Sequence, residues 1–217
     1  MKVLFIGNSY TYYNDSPKIF EALALENGID VSVDSVTKGG RKLYENLDPE
    51  DENNKKIKEL ISINDYDALF LQEHSNLPIT SFSDFRRGVI GLCDLIKATR
   101  VILYTPWGYK DGSPKLDSLG ITNEEMTSEI YAAYKKVADE IGAELSPVGL
   151  AFANMKKLSP DTELYNPDKT HPSLIGSLIA ATCHYKTLFG VLPQKADTLP
   201  KGEVISALFE AIKLTNK

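Results

Sequence analysis

The chain has 217 residues, with 24 Lys and Arg against 30 Asp and Glu, for a net charge of −6. Hydrophobic residues make up 42% and charged residues 25%, an ordinary globular balance in a chain long enough to bury a core. The acidic balance argues against a nucleic-acid partner, which needs a cationic face to displace counterions, and no run approaches the roughly 18 apolar residues of a membrane span. The two cysteines, Cys93 and Cys183, lie in apolar helical stretches and read as reduced core residues of a cytoplasmic protein.

Along the chain, short apolar runs alternate with amphipathic helical patterns. Val3 to Ile6 is unbroken and apolar, as expected of a strand covered on both faces. Asp30 to Val36 alternates, with Val31 and Val33 between polar residues, which suits a half-exposed edge strand. Glu45 to Lys58 is charge-rich and reads as a solvated helix start; Ile57, Leu60 and Ile61 share a helical face. Ala68 to Leu71 predicts a third buried strand, and Phe85, Val89, Leu92, Cys93 and Ile96 a helix after it. Val101 to Tyr104 predicts strand four. Thr105 to Thr122 is a long connection holding Pro106, Trp107, Gly108, Gly112 and Pro114, and loops of that length tend to be functional.

Met126, Ile130, Ala133, Tyr134, Val137 and Ile141 mark the longest helix. Ala143 to Val148 predicts strand five, placed at an edge because Pro147 cannot donate to a ladder. Ile175, Leu178, Ile179 and Thr182 define one more helical stripe, and Val204, Ile205, Leu208, Phe209 and Ile212 the last. The alternation implies an α/β protein: a single domain over residues 1–217, three-layer α/β/α, with a flavodoxin-like parallel five-stranded sheet of order 2-1-3-4-5.

Ligands bind such sheets outside the carboxyl ends of the strands. Those ends deliver Gly7-Asn8-Ser9-Tyr10-Thr11, Lys38-Gly39-Gly40-Arg41, Gln72-Glu73-His74-Ser75-Asn76 and Thr105-Pro106-Trp107-Gly108-Tyr109; strand five leads towards Asn166 to Ser173. Ser9 sits at a strand-to-helix turn and is the natural nucleophile, because free N–H groups there favour developing negative charge. A hydroxyl needs a base to take its proton, and the base is a histidine oriented by an acid. Of His74, His171 and His184, only His171 has an aspartate, Asp168, placed three residues before it in a Pro-bounded loop. His184 falls inside an amphipathic helix and reads as structural. Taken singly, Ser9 also suits a helix cap, and Gly39-Gly40 a plain turn.

Together these segments resemble the SGNH (GDSL-like) hydrolase superfamily. Gly7-Asn8-Ser9 stands for its Gly-Asp-Ser block, Gly40 (with Gly39 in reserve) for its glycine, and Asp168-Lys169-Thr170-His171 for its Asp-x-x-His. Pro172-Ser173-x-x-Gly176 continues the likeness, at the point where the family begins a helix. The third block departs: without gaps its asparagine falls on Asn76, whereas Leu71-Gln72-Glu73-His74-Ser75 resembles a variant subgroup in which Gln72 supplies the amide.

The resemblance implies a serine esterase with Ser9, His171 and Asp168 as triad. Its oxyanion is met by the Ser9 and Gly40 N–H groups and by an amide of Gln72 or Asn76. No metal and no cofactor is implied, and the partner is a small-molecule ester. Small acyl or acetyl groups, on a carbohydrate among other alcohols, fit the acidic surface, with Trp107 and Tyr109 expected at the pocket wall. Two alternatives stay open: an acyltransferase on the same machinery, and a flavodoxin-like module binding phosphate or flavin at Ser9-Tyr10-Thr11. An α/β-hydrolase would need Gly-x-Ser-x-Gly in mid-chain, and position 11 is threonine.

Overall fold

The computed structural model describes residues 1–200 and 202–216. In chain order the elements are β1 (Lys2–Gly7), α1 (Ser9–Tyr12), α2 (Ser16–Glu26), β2 (Ser32–Thr37), α3 (Glu52–Ile63), β3 (Ala68–Leu71), α4 (Leu77–Thr80) and α5 (Phe82–Ile96). There follow β4 (Arg100–Tyr104), α6 (Pro114–Leu119), α7 (Asn123–Ile141), β5 (Glu144–Ser146), α8 (Val148–Leu158), α9 (Leu174–Phe189) and α10 (Glu203–Lys213). The five strands form one parallel sheet in the order β2-β1-β3-β4-β5. This is the expected α/β architecture. The apolar runs of β1 and β3 occupy the sheet interior, while the alternating β2 and the three-residue β5 lie at its edges.

Right-handed crossovers send the chain in opposite directions from β1, so helices cover both faces. On one face Phe5 of β1 stacks on Phe70 of β3 at 4.5 Å and meets Phe20 of α2 edge-on. His184 of α9 packs against Phe5, Phe70 and Tyr104. α9 is buried along most of its length, from Gly176 to Tyr185, which a helix apolar nearly all round requires. α3, α5 and α7 belong to the other crossovers, with Phe85 of α5 against Tyr134 of α7.

Two long helices, α2 and α8, lie outside the predicted set, as do the short α1, α4 and α6. α2 buries Phe20, Leu23 and Ala24, and α8 buries Val148, Ala151, Phe152 and Met155. The stripes rest partly on small residues, Ala24 in α2 and Gly149 and Ala151 in α8, whose weak hydrophobic contrast blurs the period. Glu45 to Lys58 is also not one continuous helix start. Leu43–Leu47 is a separate 3₁₀ turn with Leu43 and Asn46 buried, and α3 begins later, where Asp51 caps the Asn53 N–H at 2.8 Å. Cys93 is half-buried and Cys183 buried; both are free thiols. Among the described residues no helix is long and apolar enough to cross a membrane.

His184 makes the core sensitive to acid. Its Nδ1 lies 2.8 Å from Ser146 Oγ, and burial pushes its pKa down to about 3. Unfolded, the same imidazole titrates near 6.5. Between those values the unfolded chain binds a proton that the folded chain refuses, so stability falls as pH drops, by up to about 1.4 kcal/mol per pH unit. Thermal melts should show Tm falling between pH 6.5 and pH 4, with a shallower slope in His184→Asn. An unchanged slope in that variant would contradict the assignment.

Candidate active site

The carboxyl ends of β1 and β3 meet where the direction of crossover reverses, and the polar segments converge there. β1 ends at Gly7, and Asn8 turns the chain into α1. The Asn8 side chain accepts from the Tyr10 N–H at 3.1 Å and donates to the Arg41 carbonyl at 3.0 Å. Asn8 therefore shapes the Ser9 turn and ties it to the loop after β2.

Gln72 reaches across from the end of β3. Its Oε1 accepts from the Asn8 N–H at 3.1 Å and the Thr11 hydroxyl at 2.9 Å, and its Nε2 donates to the Glu73 carbonyl. The fit requires Gly7, since a Cβ there would lie 2.3 Å from Thr11 Oγ1 and 2.9 Å from Gln72 Oε1.

Ser9 Oγ lies 2.8 Å from His171 Nε2, and His171 Nδ1 lies 2.7 Å from Asp168 Oδ2. The Asp168 turn is tight: Oδ1 accepts from the Thr170 and His171 N–H groups, both at 2.8 Å, and Lys169 takes a positive φ of 61°. Burial works against the Asp168 charge, but the His171 and Thr170 N–H groups and the adjacent imidazole bring its pKa down to about 2. A charged carboxylate on Nδ1 fixes the tautomer in which Nε2 is bare and can accept a hydrogen bond from the Ser9 hydroxyl. Tyr13 stacks on the His171 ring at 4.4 Å, and Tyr10 meets it edge-on. Asn14 holds that aromatic segment in place by donating to Ser177 Oγ of α9 at 2.9 Å.

Asn8, Ser9, Tyr10, Gly40, His74, Ser75, Tyr109, Lys115, Thr170 and His171 line a cavity of about 130 Å³. Gly40, with a positive φ of 67°, borders it; Gly39 does not. No described residue accepts from the Ser9 or Gly40 backbone N–H, so both are free for a ligand. The Gly40 loop is pinned by the Asn8–Arg41 bond, by an Arg41–Asp51 ion pair at 2.5 Å, and by Glu73, which accepts from the Leu43 N–H at 3.1 Å. Glu73 is fully buried, and burial raises its pKa to about 8.

The expected residues are not all brought together. Ser9, His171, Asp168 and Gly40 converge. Trp107 does not form the pocket wall: it is fully buried between Tyr10 and Phe152, and its Nε1 donates to the Thr170 carbonyl at 3.0 Å. It supports the His171 loop from beneath, while Tyr109 takes the wall position. Gln72 spends its amide on the Ser9 turn. Asn76 lies outside the cavity lining, with its Oδ1 3.1 Å from His74 Nδ1. Tyr13 and Lys115 carry no periodic or motif signal; Tyr10 and Ser75 lie in the segments that follow predicted strands, and Ser75 closes the Leu71-to-Ser75 stretch that resembles the variant subgroup, but neither was singled out for a role.

No family model matches the chain, and no curated protein matches it. Solved structures do. A protein from Slackia heliotrinireducens described as an SGNH hydrolase is 30% identical, covers 87% of this chain and 98% of its own, and has a TM-score of 0.75. The chain belongs to the SGNH hydrolases. A DUF4886 family protein from Bacteroides uniformis shares the fold at 19% identity, over 100% of this chain and 96% of its own, with a TM-score of 0.82. A variant of an acetylxylan esterase from Geobacillus stearothermophilus does so at 16% identity, over 87% and 94%, with a TM-score of 0.61.

The bonds to Gln72 predict its role. Gln72→Ala leaves the buried Asn8 N–H and Thr11 hydroxyl without their acceptor, which should cost about 1–3 kcal/mol per unpaired group. Urea unfolding should show that loss, and a much smaller one for Asn76→Ala. Equal stability of Gln72→Ala and the parent would refute the anchoring role.

Proposed function

We propose that this hydrolase is a serine esterase that cleaves small acyl esters through an acyl-enzyme, with Ser9 as nucleophile, His171 as general base and acid, and Asp168 as its orienting carboxylate. The observation that carries the reading is the unbroken chain of hydrogen bonds from Asp168 through His171 to Ser9.

The steps follow from that chain. His171 Nε2 takes the Ser9 proton as Oγ bonds to the ester carbonyl carbon, and the carbonyl electron pair moves onto oxygen. The Ser9 and Gly40 N–H groups stabilise that oxyanion. As the pair returns, the carbon–oxygen bond to the alcohol breaks, and His171 gives its proton to the departing oxygen. Water then repeats the sequence on the acyl-enzyme and frees Ser9. Asp168 stays ionised throughout and stabilises the imidazolium.

The small cavity favours a short acyl group such as acetyl. The fold shared with an acetylxylan esterase makes acetylated carbohydrates the first substrates to try. Ser9 and His171 come from opposite ends of the chain, in keeping with one hydrolase domain over residues 1–217.

Hydrolysis of p-nitrophenyl acetate tests the reading. Wild type should turn over, and Ser9→Ala and His171→Ala should each lose about 10⁴-fold or more in kcat, with Asp168→Asn close behind. Equal weak rates in all four proteins would overturn it.

A further inference from the structure

The Ser9 and Gly40 backbone N–H groups have no acceptor among the described residues and both residues line the cavity, whereas neither candidate side-chain amide does. Gln72 gives its carbonyl to Asn8 and Thr11 and its NH₂ to Glu73. Asn76 is turned towards His74 and does not line the site. The third donor must come from the side chains that do.

Most of these are unsuited. His74 places Nδ1 against Asn76 Oδ1, which holds its proton there, and burial lowers its pKa and so favours the neutral ring. In that tautomer Nε2 is an acceptor, which an oxyanion repels. Lys115 is exposed and sits at the rim, its ammonium 5.7 Å from the centre of the Tyr109 ring.

Thr170 gives its hydroxyl to Asp168 Oδ1 at 3.1 Å, so that, apart from Ser9 itself, the hydroxyls of Ser75, Tyr109 and Tyr10 remain. Ser75 Oγ lies 2.6 Å from Tyr109 Oη. The Tyr10 hydroxyl is buried without a hydrogen-bond partner, and Tyr10 lines the same cavity as Ser75. Burial raises the pKa of both phenols, so both keep their protons. A phenol is the stronger donor of an unlike pair, and a serine hydroxyl offers two acceptor lone pairs but only one proton. When Tyr109 donates to Ser75 Oγ, the serine proton is released from that bond and is free to point into the cavity.

We infer that the Ser75 hydroxyl, held as an acceptor by Tyr109, is the third hydrogen-bond donor to the oxyanion, in the place where the family's side-chain amide is expected. The inference rests on the esterase reading. Ser75 donates a hydrogen bond only, and its proton stays on its own oxygen while electron density builds on the substrate. The site thereby becomes a hole of two amides and one hydroxyl, with the hydroxyl oriented by Tyr109 rather than by the backbone.

The test uses the full chain with p-nitrophenyl acetate, and with diethyl p-nitrophenyl phosphate, whose phosphoryl oxygen occupies the oxyanion position as Ser9 is modified. Ser75→Ala should lower kcat by about 10²–10³-fold with KM within about threefold, because the bond strengthens only in the transition state. Its rate of phosphorylation should fall in parallel. Ser75→Thr, which keeps the hydroxyl, should recover most of both rates. Thermal melts show whether each variant is folded. Should Ser75→Ala fail to fold, Tyr109→Phe leaves Ser75 in place but loses its donor, and a drop of about tenfold in kcat at constant KM is expected.

A folded Ser75→Ala within threefold of wild-type kcat, while Ser9→Ala is inactive, overturns the inference and leaves the esterase reading intact. So does Tyr109→Phe at wild-type kcat when Ser75→Ala does not fold. Wild type without Ser9-dependent hydrolysis overturns both.

Discussion

The 2.8 Å contact between Ser9 Oγ and His171 Nε2 joins segments 162 residues apart, and much of the surrounding structure serves to hold it. β1 must lie inside the sheet for its carboxyl end to face the loop before α9, and the order β2-β1-β3-β4-β5 puts it there. The aromatic residues complete the alignment. Phe152, Trp107 and Tyr10 stack in sequence, and Tyr10 and Tyr13 flank the imidazole. Trp107 also binds the Thr170 carbonyl, so the loop after β4 supports the histidine loop from below.

The segment after β3 braces two other loops. Gln72 locks the Ser9 turn, and Glu73 clasps the Gly40 loop through the Leu43 N–H. The two side chains fix the Ser9 and Gly40 loops from one short stretch, and Ser75, two residues on from Glu73, presents its hydroxyl at the cavity. A buried glutamate with a pKa near 8 is costly to charge, and its backbone hydrogen bonds offset part of that cost. Preorganised donors of this kind need no rearrangement when negative charge develops.

The fold was largely legible in the sequence because buried parallel strands announce themselves as unbroken apolar runs. Ala68–Leu71 matches its run residue for residue, and the alternation in β2 marked it as an edge. Ser9, His171 and Asp168 were legible because a strand-end serine and an Asp-x-x-His turn are local patterns. α2 and α8 were not, since stripes built partly on alanine and glycine carry little contrast. Trp107 misled because a tryptophan in a Gly- and Pro-rich loop looks like a solvent-facing contact, and its burial depends on Tyr10 and Phe152, both distant in sequence. The fates of Gln72 and Asn76 depended on which way each amide turned, which is set by Thr11, Asn8 and His74 rather than by spacing.

The central claim is that Ser9 is the one serine made nucleophilic by His171. The most direct measurement is mass spectrometry of the protein after reaction with diethyl p-nitrophenyl phosphate, followed by peptide mapping. A single diethylphosphoryl group on the peptide carrying Ser9, absent from His171→Ala, is the expected result. Labelling of a different residue, or equal labelling of Ser9 with and without His171, would contradict it.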